Sequence, residues 1–591
     1  MPDEIDTAPK RLECRRGFSV SCRGKTLLSL IDPIGQAERT ADLVPALDRT
    51  LYFCPSPLYG YGLSLLLEKL RNINADSAIL CVETDKRLLD LSREEMGVLL
   101  ENPHLRLVGL REPAVLCGLV RQVWGSRRFR RVEMLRLTGG WRLDAEIYDA
   151  LADALRRDIA VDWGNAMTLV KLGRRYISNA IRNLALLARR PSLSRLSFGD
   201  SPILVLGAGP SLDEVLDGIA ATSSGESRAW PADLAGRPFK IICVDTALSA
   251  LKARNIKPDL AVALESQHWN LRDFVGSGDW EIPTAMDLSA LPATSEVLGG
   301  QSFLFFTPWT EISLFDRLEK TDLLPESFVP LGSVGLTAVA IALRLGSGPV
   351  ITGGIDFSFT LDSYHARSTP GHREKLRRQN RLRSILNADA AFRPAAFSVL
   401  SKSSRPVRSD PAMRGYRDLF EREFALSGLG KAGKSAKGAR LQDISGSGLP
   451  LGIATISLER AIDILNEGKA DQGLPPELTK TVPADREEAE PSPPQAALIQ
   501  LKTEVLISFI RREQEALLTL RDILKGEIAA EADKTEYLLD TCDYLWAHFP
   551  DCAGAGGRRP AGTDLSFLKR VRTEIDPFLK LWALALKEAE S

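Results

Sequence analysis

Between residues 201 and 356 the chain alternates short apolar runs with stretches of helical spacing, and this alternation constrains the fold more than any other feature. SPILVL opens it; KIICVD then runs to Asp245, PDLAVALE to Glu265, IPTAMDL to near Asp287, SFLFFTPW to near Thr307 and PVITGGID to Asp356. The breaks between them are short. Continuous apolar runs bounded by turns and separated by helices predict a doubly wound, mostly parallel sheet with helices on both faces. Sheets of this kind bind ligands beyond the carboxyl ends of their strands. The turn 207–211, Asp245, Glu265, Gly353, Gly354 and Asp356 all fall at such ends.

The turn is the most informative of these. In VLGAGPSLDEVL, Gly207 and Gly209 let the backbone reverse sharply after a buried strand, and Ser211 with Glu214 reads as a capping box opening a helix. A strand, a glycine turn and a helix start direct free N–H groups and a positive helix end at one point, which suits a phosphate. Leu212 stands where a dinucleotide fingerprint needs its third glycine, and no Lys-Ser/Thr pair marks a P-loop. The turn alone therefore leaves two readings open, an anion seat or a tight turn with no ligand.

At 591 residues the chain is too long for one core, and about three domains are expected. The formal net charge of −1 gives no global reason to expect nucleic acid as a partner. The N-terminus is acidic and then basic without an apolar core, unlike a secretory signal, and no stretch reaches the ~18 to 20 apolar residues of a membrane span. The eight cysteines lack C-x-x-C spacing, which points to free thiols in the cytoplasm and away from zinc. Only five histidines occur, so imidazole chemistry has few candidates.

Residues 1–16 are expected to be disordered. Residues 17–143 read as a Rossmann-like domain: 50–85 give strand, glycine turn with Gly60 and Gly62, helix, and a second strand ending at Glu83, where a ribose-binding carboxylate would stand. Pro55, Pro57, Tyr59 and Tyr61 make that turn bulky, which favours a domain without ligand. Residues 144–200 form a helical connector whose Arg182, Arg189 and Arg190 read as a solvated face. The central domain spans 201–466, a linker 467–495, and an all-helical module 496–591 suited to partner contact or self-association. Within the central domain, His365 sits in a loop before a basic helix at 372–386, and 425–440 is a Gly/Lys/Ser-rich loop.

VLGAGPSLD, VDTALSALKARNIKPDLAVALE and GSVGLTAVAIALRLGSGPVITGGIDFSF with Tyr364-His365-Ala366 together resemble the central domain of the motility accessory factor (Maf) family, and GFSVSCRGKTLLSLIDPIGQAER is similar to that family's opening. The resemblance covers most of residues 17–465. It implies a sialyltransferase-like central fold, and a transferase moving a nine-carbon nonulosonic sugar from a CMP-activated donor to Ser or Thr hydroxyls of flagellin in the bacterial cytoplasm, in support of flagellum assembly and motility. The same domain resembles an archaeal 6-hydroxymethylpterin diphosphokinase (MptE-like), which implies ATP and Mg²⁺ held by Asp245, Glu265 or Asp356 as the alternative. A non-catalytic flagellin-binding chaperone is a third. Glu265 and the sequence Gly354-Ile355-Asp356-Phe357-Ser358-Phe359 depart from the usual Asp and Gly-x-Asp-Leu-Ala-Phe of the superfamily.

On the transferase reading the chemistry assigns roles. The turn Gly207, Ala208, Gly209, Pro210 and Ser211 would hold the phosphate, whose charge grows as CMP leaves. Asp245, with Thr246 beside it, or Glu265 would accept from ribose hydroxyls. Ser333, Gly335 and Gly354 complete the nucleotide-binding set. His365 would take the acceptor proton, and Asp356 would orient donor or loop, or serve as a structural cap. Neither a metal nor a further cofactor is needed by this scheme.

Overall fold

The computed structural model describes residues 8–125, 128–224, 236–310, 312–384, 393–425, 440–467, 493–529, 531–550, 552 and 560–591. The chain divides into two compact units, Met1–Lys171 with His548–Arg559, and Leu172–Ala547 with Pro560–Ser591.

The first unit begins earlier than the sequence implies. β1 (Lys10–Glu13) pairs antiparallel with β2 (Phe18–Cys22), which pairs with β3 (Lys25–Thr26), so part of the segment expected to be disordered is a strand. The charged face of β1 hid it, because an edge ribbon need not alternate apolar residues; Arg11 instead lies 3.5 Å over the Phe18 ring. β4 (Thr50–Pro55), β5 (Ala78–Val82), β6 (Leu105–Val108) and β7 (Arg131–Met134) then form a parallel sheet in the order β6-β5-β4-β7. Every residue of β4 and β5 is buried, as parallel strands covered on both faces require.

The second unit is built on an eight-stranded sheet. Its strands are β8 (Ile203–Leu206), β9 (Lys240–Val244), β10 (Leu260–Ala263), β11 (Ile282–Asp287), β12 (Gly299–Phe305), β13 (Val350–Gly353), β16 (Leu441–Ile444) and β17 (Ala454–Ile456); a separate hairpin, β14 (Phe397–Leu400) with β15 (Pro406–Ser409), lies between β13 and β16 in the chain. The order is β12-β11-β10-β9-β8-β13-β16-β17 and all pairs are parallel. The predicted strands are all present. Val205, Ile242, Val262 and Ile351 are fully buried in one continuous core with Leu216, Leu336 and Leu441.

Two segments differ from expectation. The helix Ala145–Asn183 runs from one unit into the other, and its last turns are tied to the sheet: Asn179 Nδ2 donates to the Ser266 and Ser289 carbonyls at 3.0 and 3.1 Å, and Asn183 Nδ2 to those of Leu288 and Ala290 at 2.9 Å each. Of the three arginines expected on a solvated face, Arg182 and Arg190 are half-buried and Arg189 is exposed. The helices Pro493–Lys525 and Leu565–Glu590, expected to stand apart, belong to the same unit as the sheet. Phe509 of the first meets the Trp582 ring of the second edge-on at 6.5 Å, and Arg317, on the helix Ser313–Glu319, forks onto buried Glu513 at 2.7 and 2.8 Å. The expected linker and the Gly/Lys/Ser-rich loop fall largely at 468–492 and 426–439, outside the described residues.

Candidate functional site

From β8 the chain steps outward through β9 to β12 and returns to lay β13 on the other side of β8. That reversal makes the carboxyl ends of β8 and β13 a topological switch point, the place where sheets of this type bind ligands in a crevice. Two glycine turns meet there. The Gly207 and Gly209 N–H groups donate to the Gly353 and Gly354 carbonyls at 2.9 and 2.8 Å. A Cβ on Gly207 would stand 2.4 Å from the Gly354 oxygen, and Gly354 itself holds φ +71°, so both positions demand glycine for the approach of one loop to the other.

Asp356 completes the joint. Its carboxylate accepts from the Ser211 N–H at 2.7 Å and from the Ser211 hydroxyl at 2.5 Å. The Ser211 N–H therefore turns to Asp356 and not to Glu214, and the positive end of the helix Leu212–Ser224 receives a carboxylate belonging to the protein itself. Ala208, Gly209 and Pro210 remain half-buried beside it.

The His365 loop is fastened to this turn. The Ala366 N–H donates to the Ala208 carbonyl at 3.0 Å, the Arg367 N–H to Asp213 at 2.9 Å, and the Ser249 hydroxyl to the Ser368 carbonyl at 2.9 Å. Tyr364 meets the His365 ring edge-on at 4.7 Å. His365 keeps some exposed surface, yet burial pushes its imidazole down to about 4, with the positive charge of Arg272 adding to the shift. Near neutrality the ring is unprotonated, the form that accepts a proton.

An acidic group lies over the ends of β9 and β10. Asp245, almost fully buried, accepts from Asn270 Nδ2 and the Thr246 N–H at 2.7 Å each, and from the Thr246 hydroxyl at 3.2 Å. Asn270 also reaches Asp273 at 3.4 Å. Burial raises the Asp245 carboxyl; burial and then the charge of Asp245 push Asp273 up to about 7. Glu265 is half-buried, accepts from the Gln267 N–H at 2.9 Å, and adds its charge to both.

A second helix start faces the crevice. Ser333 is the N-cap of the helix Val334–Leu345, and its side chain makes no capping bond. Ile355 bridges the two helix starts, lying 3.9 Å from a Cβ built on Gly335 and 3.0 Å from one built on Gly207. Tyr176, on the last turns of the long helix, stacks on Trp309 at 6.0 Å; burial, then the negative charges of Glu265 and Asp287, push its hydroxyl up to about 12.

The structure thus brings 207–211, Gly354, Asp356 and the His365 loop together, sets Ser333 and Gly335 beside them, and groups Asp245, Thr246 and Glu265 one and two strands away. Asn270, Arg272, Asp273 and Tyr176 escaped the sequence reading, because QHWNLRDF carries no motif and Tyr176 lies in an ordinary helical pattern. Among the described residues, no group of three or more His, Cys, Asp or Glu side chains is arranged to hold a metal ion, and no helix is long and apolar enough to cross a membrane. In the first unit Glu83 is buried and accepts from Ser56 at 2.6 Å, Tyr148 at 2.9 Å and the Thr84 N–H at 2.9 Å, so its carboxylate is occupied by the protein's own donors.

Comparison with known proteins agrees with this architecture. The family model described as 6-hydroxymethylpterin diphosphokinase MptE-like matches residues 178–362. The chain is 28% identical to an uncharacterized protein of Treponema pallidum (strain Nichols) over 590 residues, 97% of this chain and 95% of that one. Its fold is similar to that of a Maf glycosyltransferase from Magnetospirillum magneticum AMB-1, with a TM-score of 0.50 and 15% identity over 97% of this chain and 88% of the other.

Proposed function

With an MptE-like domain set in a Maf-like fold as the premise, we propose that this protein is a glycosyltransferase that moves a nonulosonic sugar from a CMP-activated donor to Ser or Thr hydroxyls of flagellin in the cytoplasm. The observation that carries the reading is an unprotonated imidazole at the topological switch point, with an uncapped helix start beside it and strand-end carboxylates one and two strands away. The helix start at Ser333 and Gly335 supplies free N–H groups for the donor phosphate, because the start at Ser211 already carries Asp356. The donor packs across the half-buried face of Ala208, Gly209 and Pro210, and Asp245 and Glu265 lie toward its nucleoside.

In the transfer, the acceptor hydroxyl oxygen bonds to the anomeric carbon as the bond from that carbon to the phosphate oxygen breaks. CMP departs with the electron pair and the hydroxyl proton passes to His365. An anionic donor bound beside His365 favours the protonated imidazole and so strengthens it as a base in the complex. Asp356 acts through Ser211, fixing the turn on which the His365 loop hangs.

The grouping of Asp245, Glu265 and Asp273 supports a second reading, an MptE-like diphosphokinase, in which those oxygens hold Mg²⁺ beside ATP. Intact-mass analysis of flagellin from cells with and without this protein tests the first reading. A loss of one nonulosonic-acid mass per site is expected in its absence. An unchanged mass, together with thermal stabilisation by ATP and Mg²⁺ but not by CMP, would favour the second.

A further inference from the structure

Asn270 and Asp273 belong to no motif, and both are more than nine-tenths buried. Asn270 Oδ1 and Asp273 Oδ1 are also buried acceptors without a hydrogen-bond partner. Arg272 Nε lies 3.8 Å from Asp273 Oδ1, beyond hydrogen-bond reach. A buried oxygen without a donor is costly, so two of them three residues apart point to a donor-bearing group. The Asn270 amide is fixed in place by its Nδ2, which donates to Asp245 and Asp273, and its oxygen is left without a donor.

The position narrows what that group is. Asp245 closes β9, the immediate neighbour of β8, so the cluster stands about 4.8 Å of sheet away from the switch point. That offset matches the step from a nucleotide's phosphate to its ribose. Hydroxyl groups satisfy carbonyl and carboxylate acceptors without bringing in charge. A cation is the less favoured occupant, since Asp245 already accepts three hydrogen bonds from Asn270 and Thr246.

We infer that Asn270 and Asp273, with Asp245, form a clamp for the vicinal hydroxyls of a ribose, making this a site for ribonucleotides in preference to deoxyribonucleotides. The inference rests on the nucleotide-donor reading above and sharpens it. A polar pocket built to receive a hydroxyl rejects the analogue lacking it, because its buried acceptors are then left bare.

The test is calorimetric titration of the full-length protein with CMP, AMP, UMP and GMP and their 2′-deoxy counterparts, without and with Mg²⁺. For the nucleotide that binds best, the ribo form should bind at least about 10-fold more tightly than the deoxy form. Asn270→Ala and Asp273→Ala should erase that ratio, weakening the ribo form more than the deoxy form, which keeps its 3′-hydroxyl. The ratio on the unaltered protein requires no variant to fold. A ratio near one overturns the clamp and leaves the donor reading standing; an intact ratio with AMP preferred over CMP supports the clamp and overturns the donor reading. Mg²⁺ alone raising the melting temperature, lost in Asp273→Ala, would make the cluster a cation site and overturn the clamp. Binding of none of the nucleotides overturns both.

Discussion

Asp356 and Ser211, 145 residues apart in the chain, are joined by two hydrogen bonds, one from the Ser211 N–H and one from its hydroxyl to the same carboxylate. The pair locks β13 to the helix that follows β8 at the crevice floor, and the His365 loop hangs from the adjoining Ala208. Asp356→Ala leaves a buried N–H and hydroxyl without acceptors, and about 2–3 kcal/mol of stability should be lost, read by urea unfolding. Transfer should fall with it. Asp356→Asn, which keeps one acceptor oxygen, should recover part of both; full activity in Asp356→Ala would show that the joint does not govern the site.

His365 sets a pH dependence that differs from that of an ordinary histidine. Burial and Arg272 place its folded value at about 4, against ~6.5 in the unfolded chain. Between those values the unfolded chain binds more protons, so this group's contribution to stability rises with pH from about 4 to about 6.5 and is lost as pH falls through that window. The imidazole also stays unprotonated in the free protein down to about pH 4–5. The acid limb of kcat/KM should therefore lie near pH 4–5, and His365→Gln should lower kcat by ~10²–10⁴-fold. A limb at pH 6.5, or wild-type kcat in the variant, would remove His365 as the base.

Asp273 titrates with the opposite sign. Its carboxyl is raised to about 7 by burial and by Asp245, so the folded protein holds a proton that the unfolded chain gives up above pH ~4. Stability from this group is present below pH ~4 and declines as pH rises toward 7. Asp273→Asn removes the charge and should stabilise the free protein at pH 8 by on the order of 1–3 kcal/mol, with little change at pH 4. Equal effects at the two pH values would mean that charge burial is not the cause.

What the sequence made legible follows from what burial writes into it. β8 to β13 were visible because strands covered on both faces must be apolar throughout, as ILVL and KIICV are. Gly207, Gly209 and Gly354 were visible because close loop approach leaves no room for a Cβ. Hidden were the partnerships that only folding creates. Ser211 looked like a self-sufficient cap until Asp356 arrived from a distant strand, and Asn270 and Asp273 lie in short helical turns with no period to mark them. Asn179 and Asn183 sit on a helix whose pattern reads as a plain connector, although they bind loops beyond β10 and β11.

The C-terminal helices carry the last expectation, since their sequence reads as a detachable module while Arg317 and Glu513 tie them into the unit that holds the sheet. Glu513 is almost fully buried and Arg317 also donates to the Thr541 carbonyl at 2.8 Å. Glu513→Ala leaves a half-buried guanidinium without its carboxylate and should cost about 1–3 kcal/mol, whereas replacing both partners with Met and Leu should be close to neutral. Truncation after residue 495 exposes Arg317 and the apolar surface beneath the helices, and nucleotide binding should then fail together with transfer. Calorimetry on the truncated chain decides this: nucleotide affinity preserved with only acceptor modification lost would restore the helices to the status of a separable partner-binding module.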